Sequence, residues 1–135
     1  MDDTSKLTQL GSNETRYQFE EPCTAMLETF PAPIKGVSVL YETQEFSSLC
    51  PKTHQPDFAT IRIQYDPDEL CVETKSLKLY LFAYRNHGSF MESITRKICD
   101  DFVEACDPLY CKVTGEFAAR GGIAITVVAE HSKER

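Results

Sequence analysis

The segment Glu45-Phe-Ser-Ser-Leu-Cys50-Pro-Lys-Thr-His-Gln-Pro-Asp57-Phe-Ala-Thr60 puts a thiol at the end of a strand-like run. A carboxylate follows seven residues later, where a second strand-like run begins. Two prolines stiffen the connection, and Lys52 and His54 lie within it. A thiolate is a strong nucleophile, and a neighbouring cation or base makes it easier to reach. A carboxyl group can pass protons to whatever that nucleophile attacks. Each residue also has a plainer reading. Most unpaired cysteines are small buried hydrophobes, and an aspartate after Gln-Pro can simply end a turn.

The pair is useful only if the surrounding elements hold it in place. Val37, Val39, Tyr41 and, less cleanly, Phe46 mark one face of a strand that leads into Cys50. Phe58-Ala-Thr-Ile-Arg-Ile-Gln-Tyr65 reads as the second strand and ends at the turn Asp66-Pro-Asp-Glu. Leu70-Cys-Val-Glu73 is a short run before Ser76-Leu-Lys-Leu-Tyr-Leu-Phe-Ala-Tyr-Arg85, which reads as a helix with Thr74 or Ser76 as N-cap. Asn86-His-Gly88 breaks it. Ser89-Phe-Met-Glu92 matches a capping box, followed by Phe90, Ile94, Ile98 and Phe102 at every fourth position, and Asp107-Pro108 ends that helix. Two further strands, Leu109 to Phe117 and Gly122 to Val128, close the chain. The order β-β-α-α-β-β is an α+β unit with two helices on one face of an antiparallel sheet. Residues 1–30 read as a polar N-terminal arm, and residues 31–135 as the folded domain. Unpaired sheet edges make association of copies a reasonable expectation.

Composition narrows the choices. A hydrophobic content of 41% and a charged content of 26% over 135 residues suit one globular domain with a real core. The net charge of -7 and pI of about 4.9 run against a protein that grips nucleic acid. No apolar run approaches the roughly 20 residues needed to span a bilayer. The N-terminus is acidic and polar, unlike a secretory signal. The six cysteines, at 23, 50, 71, 99, 106 and 111, are scattered, and read as reduced thiols of a cytoplasmic protein. Cys50 and His54 are four apart, but no CxxC and no histidine pair has zinc spacing, so the chain is read as metal-free.

Four stretches together carry a family resemblance. Cys50-Pro-Lys-Thr-His-Gln-Pro-Asp57-Phe, Glu73-Thr-Lys-Ser-Leu-Lys-Leu-Tyr80, Arg85-Asn-His-Gly-Ser-Phe-Met-Glu92 and Arg120-Gly-Gly-Ile123 resemble the short form of the 7-cyano-7-deazaguanine reductase (QueF) family. The likeness runs from about Val37 to Val128. It implies the tunnelling fold, assembled as an oligomeric barrel: rings of five stacked as a decamer, with active sites between subunits. It also implies an NADPH-dependent nitrile reductase of queuosine biosynthesis, taking the cyano group of 7-cyano-7-deazaguanine to an aminomethyl group.

By the same resemblance, Cys50 is the nucleophile that converts the nitrile to a thioimidate, and Asp57 is the proton donor. Glu92 anchors the heterocycle, with Val72, Glu73, Thr74 and Met91 lining the substrate pocket. A carboxylate can accept two adjacent N–H donors from a deazaguanine edge. For Glu92 the rival role is the capping box itself, and for Glu73 it is an exposed charge at a strand end. Lys75 and Lys78, with Thr74 and Ser76 at the helix start, make an anion site for the phosphates of NADPH. Arg120 and Gly121 are expected to add to that cofactor site. Two such lysines are more often a solvated face. The chain departs from the family pattern at Thr74 and at Met91, where the family has histidine. A thioether cannot handle a proton as imidazole does.

Two other readings stay open at this level. One is a transferase on the same scaffold, in which ammonia attacks the Cys50 thioimidate to give an amidine. The other is a non-enzymatic module that binds a purine or pterin.

Overall fold

Alternation builds the central strand. Along Pro56–Asp66, the side chains of Asp57, Ala59, Ile61, Ile63 and Tyr65 are all buried, while those between them face outward. The computed structural model describes residues 2–12 and 21–133. Its strands are β1 (Thr29–Pro31), β2 (Val39–Leu49), β3 (Pro56–Asp66) and β4 (Leu70–Val72), then β5 (Tyr110–Arg120) and β6 (Ile123–Ser132). Helices α1 (Thr74–Phe82) and α2 (Met91–Cys106) lie between β4 and β5. The long strands form an antiparallel sheet in the order β2-β3-β5-β6, and β1 pairs with β4 in a separate ladder. The expected β-β-α-α-β-β order is therefore the order of the long elements. No helix among the described residues is long and apolar enough to cross a membrane.

The irregular alternation around Phe46 has a structural cause. Thr43 pairs with Ile61 and Phe46 with Ala59, so β2 carries one residue more than β3 across this stretch. Such a bulge reverses the phase of the strand. Tyr41 and Thr43 face the core side before it, Gln44 and Glu45 are both exposed, and Phe46 and Ser48 are buried after it. The strand begins at Val39; Val37 lies outside it and is exposed.

Helix α2 packs on β5 and β6 through Ile94, Thr95, Ile98, Cys99 and Phe102, each fully buried. Tyr65 meets the Phe102 ring edge-on at a centroid distance of 4.7 Å. The expected stripe is shorter by one residue, because Phe90 precedes the helix and is 66% exposed. Asp107 closes α2 in a left-handed conformation (φ 46°), and Pro108 cannot continue it.

Gly115 sets how closely α2 approaches the sheet. A Cβ there would lie 2.7 Å from the Phe117 ring and 2.9 Å from Thr95 Oγ1. Gly115→Ala is expected to lower stability by about 1–3 kcal/mol through overpacking. Urea unfolding checks this, and an unchanged midpoint would show that α2 can shift without cost.

The expected arm is shorter than 30 residues. Leu27 is in the core, the Thr24 hydroxyl donates to Asp101 and Glu104, and the Glu28 N–H donates to Ser76 Oγ. With Thr29 paired to Val72, residues 21–31 pack on the domain that the sequence reading begins at residue 31. Residue 1, residues 13–20 of the arm, and residues 134–135 lie outside the described residues.

Candidate active site

The thiol sits on the hairpin loop between β2 and β3. The Cys50 N–H donates to the Gln55 carbonyl at 2.8 Å, and the His54 N–H donates to the Cys50 carbonyl at 3.1 Å. His54 takes a left-handed conformation (φ 60°) to complete the turn. Residues 86–88, which read as a simple helix break, hold this loop from the other side. The Leu49 N–H donates to the His87 carbonyl and the Ser89 N–H to the Leu49 carbonyl, both at 3.1 Å. Gly88 comes close enough that a Cβ would lie 3.5 Å from Pro51 Cα. The start of α2 is thereby fastened beside Cys50.

Cys50 is partly exposed, and its thiol is pulled down from an ordinary 9.0 to about 7. The Thr53 hydroxyl contributes most, followed by the backbone N–H groups of Thr53 and Lys52, with a smaller share from Arg120. Near neutral pH about half of the thiol is then thiolate. The sequence suggested a cation or base beside Cys50; Lys52 acts here through its backbone N–H, and the hydroxyl of Thr53 leads.

Asp57 is 4% exposed and ion-paired with Arg120 at 2.7 Å. The same guanidinium donates to Gln55 Oε1, and its charge helps to hold the Cys50 thiol down. Ser48 stands opposite Asp57 in the β2–β3 register, and its buried hydroxyl has no partner among the described residues. Asp57 is thus an inward-facing strand residue beside the thiol loop, and not a turn terminator.

The other expected site residues divide into two places. Glu92, in the first turn of α2, is exposed and has no hydrogen-bond or ion-pair partner among the described residues. The capping box is not formed: the N-cap position is Phe90, and no side chain caps the helix. The capping role that competed for the Glu92 carboxylate is therefore absent. Met91 packs partly buried against the core, whereas the Phe90 ring is exposed. Sequence reasoning counted that ring in the apolar stripe and so missed its exposure.

Val72 and Glu73 lie at the opposite end of β3, beside Tyr65, and α1 with Thr74, Lys75, Ser76 and Lys78 follows from there. The Val72 N–H donates to the Tyr65 hydroxyl, and its carbonyl accepts from Tyr41. From Asp57 to Tyr65 is eight residues, about 26 Å at roughly 3.3 Å each. One chain therefore does not bring Val72 and Glu73 to Cys50. Glu73 is buried and is itself the N-cap of α1, accepting from the N–H groups of Lys75 and Ser76. This corrects both the expected cap at Thr74 or Ser76 and the exposed-charge reading of Glu73. The Ser76 hydroxyl is fully buried, donating to the Glu73 carbonyl and accepting from the Glu28 N–H. Ser76 therefore does not offer its side chain to a cofactor, and the helix N-terminus already holds a carboxylate.

Between α1 and β2 runs a groove of about 520 Å³, with Thr74, Lys78 and Arg85 along the helix side and Tyr41, Phe46, Leu77 and Leu81 among its apolar lining. Gly121 and Gly122 form the β5–β6 turn with φ of 60° and 83°, which explains the glycines, and the space around both is open. Among the described residues no cluster of three or more metal-binding side chains occurs.

Fold and site together define an α+β protein whose candidate catalytic group is a lowered-pKa thiol beside a buried aspartate. The family model described as QueF-like protein matches residues 56–135. A protein of Alkalilimnicola ehrlichii named NADPH-dependent 7-cyano-7-deazaguanine reductase is 57% identical over 109 residues, covering 79% of this chain and 84% of its own. The protein of the same name from Nitratidesulfovibrio vulgaris is 49% identical over 135 residues, covering 98% of this chain and 81% of its own. The apo crystal structure of the archaeosine synthase QueF-Like superposes with a TM-score of 0.69 at 22% identity, covering 76% of this chain and all of that one. That likeness bears on the fold, which is the tunnelling fold. The chain belongs to the QueF-like protein family.

Proposed function

We propose that this protein reduces the nitrile of 7-cyano-7-deazaguanine to the aminomethyl group of 7-aminomethyl-7-deazaguanine, with NADPH as reductant, in queuosine biosynthesis. The observation that carries the reading is the Cys50 thiol, held near 7 within reach of the guanidinium that also pairs buried Asp57. The 57% and 49% identical relatives named as reductases support it.

The Cys50 thiolate adds to the nitrile carbon: a C–S bond forms, one C–N π bond breaks, and nitrogen takes a proton, leaving a thioimidate. NADPH, when bound, supplies hydride, and two hydrides with two protons take that carbon and nitrogen to the aminomethyl level and release the thiol. Asp57 is the carboxyl group placed to pass protons to the nitrogen. Glu92, exposed and unpartnered among the described residues, accepts the N–H groups of the pyrimidine edge.

The residues of α1 fit the cofactor in part. Lys75 and Lys78, with Arg85 further along the groove, would hold its phosphates, while Glu73 and Ser76 serve the helix. Because Val72 and Glu73 lie at the Tyr65 end of β3, away from Cys50, a site that uses them together with Cys50 draws on two copies of the chain. This supports a homo-oligomer, for which the family resemblance implies rings of five stacked as a decamer, acting in the cytoplasm where its thiols stay reduced. Replacing Lys75 and Lys78 by methionine is expected to raise KM for NADPH roughly tenfold or more, since each charged hydrogen bond contributes about 1.5–3 kcal/mol. Substrate adduct formation without NADPH should not change. An unaltered KM would remove both lysines from the cofactor site.

Product analysis tests the function. The protein is incubated with 7-cyano-7-deazaguanine and either NADPH or ammonia, and the products are weighed. An aminomethyl product formed only with NADPH is expected. An amidine formed with ammonia would move the chain to the transferase reading, and no product with either would leave a binding module.

A further inference from the structure

Arg120 pairs with buried Asp57 and with Gln55 of the loop that carries Cys50. We propose that Arg120 is a positioning residue that clasps the mouth of the site, holding the Asp57 carboxylate and the Gln55 amide, and with them the loop that carries Cys50, in one arrangement, and does not grip a cofactor phosphate. The inference rests on Cys50 and Asp57 being the reacting pair.

Its two acceptors both belong to the β2–β3 hairpin: Gln55 at the end of the loop and Asp57, the second residue of β3. Arg120 arrives from β5, on the far side of β3, as the last residue before the tight Gly121-Gly122 turn that fixes its backbone. A planar fork of donors can serve both acceptors at once, one from each terminal nitrogen, which a lysine ammonium on a flexible stem does less well. The burial of Asp57 gives the assignment its weight. A carboxylate 4% exposed needs a counter-charge, and Arg120 is its ion-pair partner among the described residues. Moving this guanidinium to a phosphate would leave the buried charge uncompensated. In the thiolate state the guanidinium also faces the sulfur, which loses that charge when the C–S bond forms. The fork then remains on Asp57 as protons pass to nitrogen.

The test follows iodoacetamide alkylation of Cys50 against pH in the free protein. Alkylation is read on the peptide containing residue 50, because Cys23 is also exposed. The titratable and charged groups on the elements packed around Cys50 are Lys52 and His54 of the loop, Asp57 of β3, Arg120 of β5, His87 beside Leu49, and Glu92 of α2. Arg120→Met is expected to raise the alkylation midpoint from about 7. A rise of roughly half a unit or more is expected, since charge and hydrogen bonding to the thiolate both go. Turnover is expected to fall roughly tenfold with KM for NADPH unchanged, as for loss of an interaction outside cofactor binding. Arg120→Lys keeps a counter-charge for Asp57 and should fall between the two, so the test survives if the methionine variant folds poorly. An unmoved midpoint in both variants would overturn the proposal, and a raised KM for NADPH without that shift would make Arg120 a cofactor contact. Wild-type protein that forms no substrate adduct would count against the nucleophile assignment itself, a result separate from either variant's.

Discussion

Cys50→Ala is expected to abolish both adduct formation and reduction, lowering turnover roughly a thousandfold or more, the scale on which loss of a covalent nucleophile acts. The thiol is partly exposed on a hairpin loop, so its removal opens no core cavity, and the fold should be retained. The loop is closed by the backbone N–H of residue 50 and by the 87–89 segment, neither of which needs the sulfur. Circular dichroism separates a lost nucleophile from a lost fold. Residual turnover near the wild-type rate would mean that hydride reaches the nitrile without covalent activation.

Asp57→Asn should divide the reaction in a different place. The amide keeps the size of the carboxyl group and can still accept from Arg120, but it no longer carries or delivers a proton. Reduction is expected to slow by about 10²–10⁴, the usual range for loss of a general acid or base. The Cys50 adduct should still form, because thiolate stabilisation comes first from Thr53 and the loop N–H groups. Rapid quench with intact-mass detection should show adduct that persists after NADPH is added. Wild-type turnover in this variant would remove Asp57 from the proton path.

Much of this arrangement was readable from local pattern. The alternation of β3 and the four-residue stripe of α2 are strong because each follows the period of its own element. Cys50 and Asp57 stand at opposite ends of one short hairpin loop, so chain proximity and spatial proximity coincide there. The exceptions depend on geometry that pattern does not carry. The bulge at Gln44 and Glu45 has no glycine or proline to announce it. Ser89 to Glu92 has the letters of a capping box, yet the Ser89 N–H pairs with Leu49, and the helix begins two residues later. Glu73 became a buried cap because β4 delivers it to the start of α1, where two N–H groups converge. Arg120 lies 63 residues from Asp57, and only the pairing of β5 with β3 brings them together. Proximity of that kind is a property of topology.

The central claim is that Cys50 bonds covalently to the nitrile carbon, and mass spectrometry of the wild-type protein tests it most directly. Protein incubated with 7-cyano-7-deazaguanine in the absence of NADPH is weighed intact, digested and mapped. The expected result is a gain of one substrate mass per chain, located on the peptide containing Cys50 and lost when NADPH is added. An unmodified protein, or a modification carried by exposed Cys23 with Cys50 free, would contradict it.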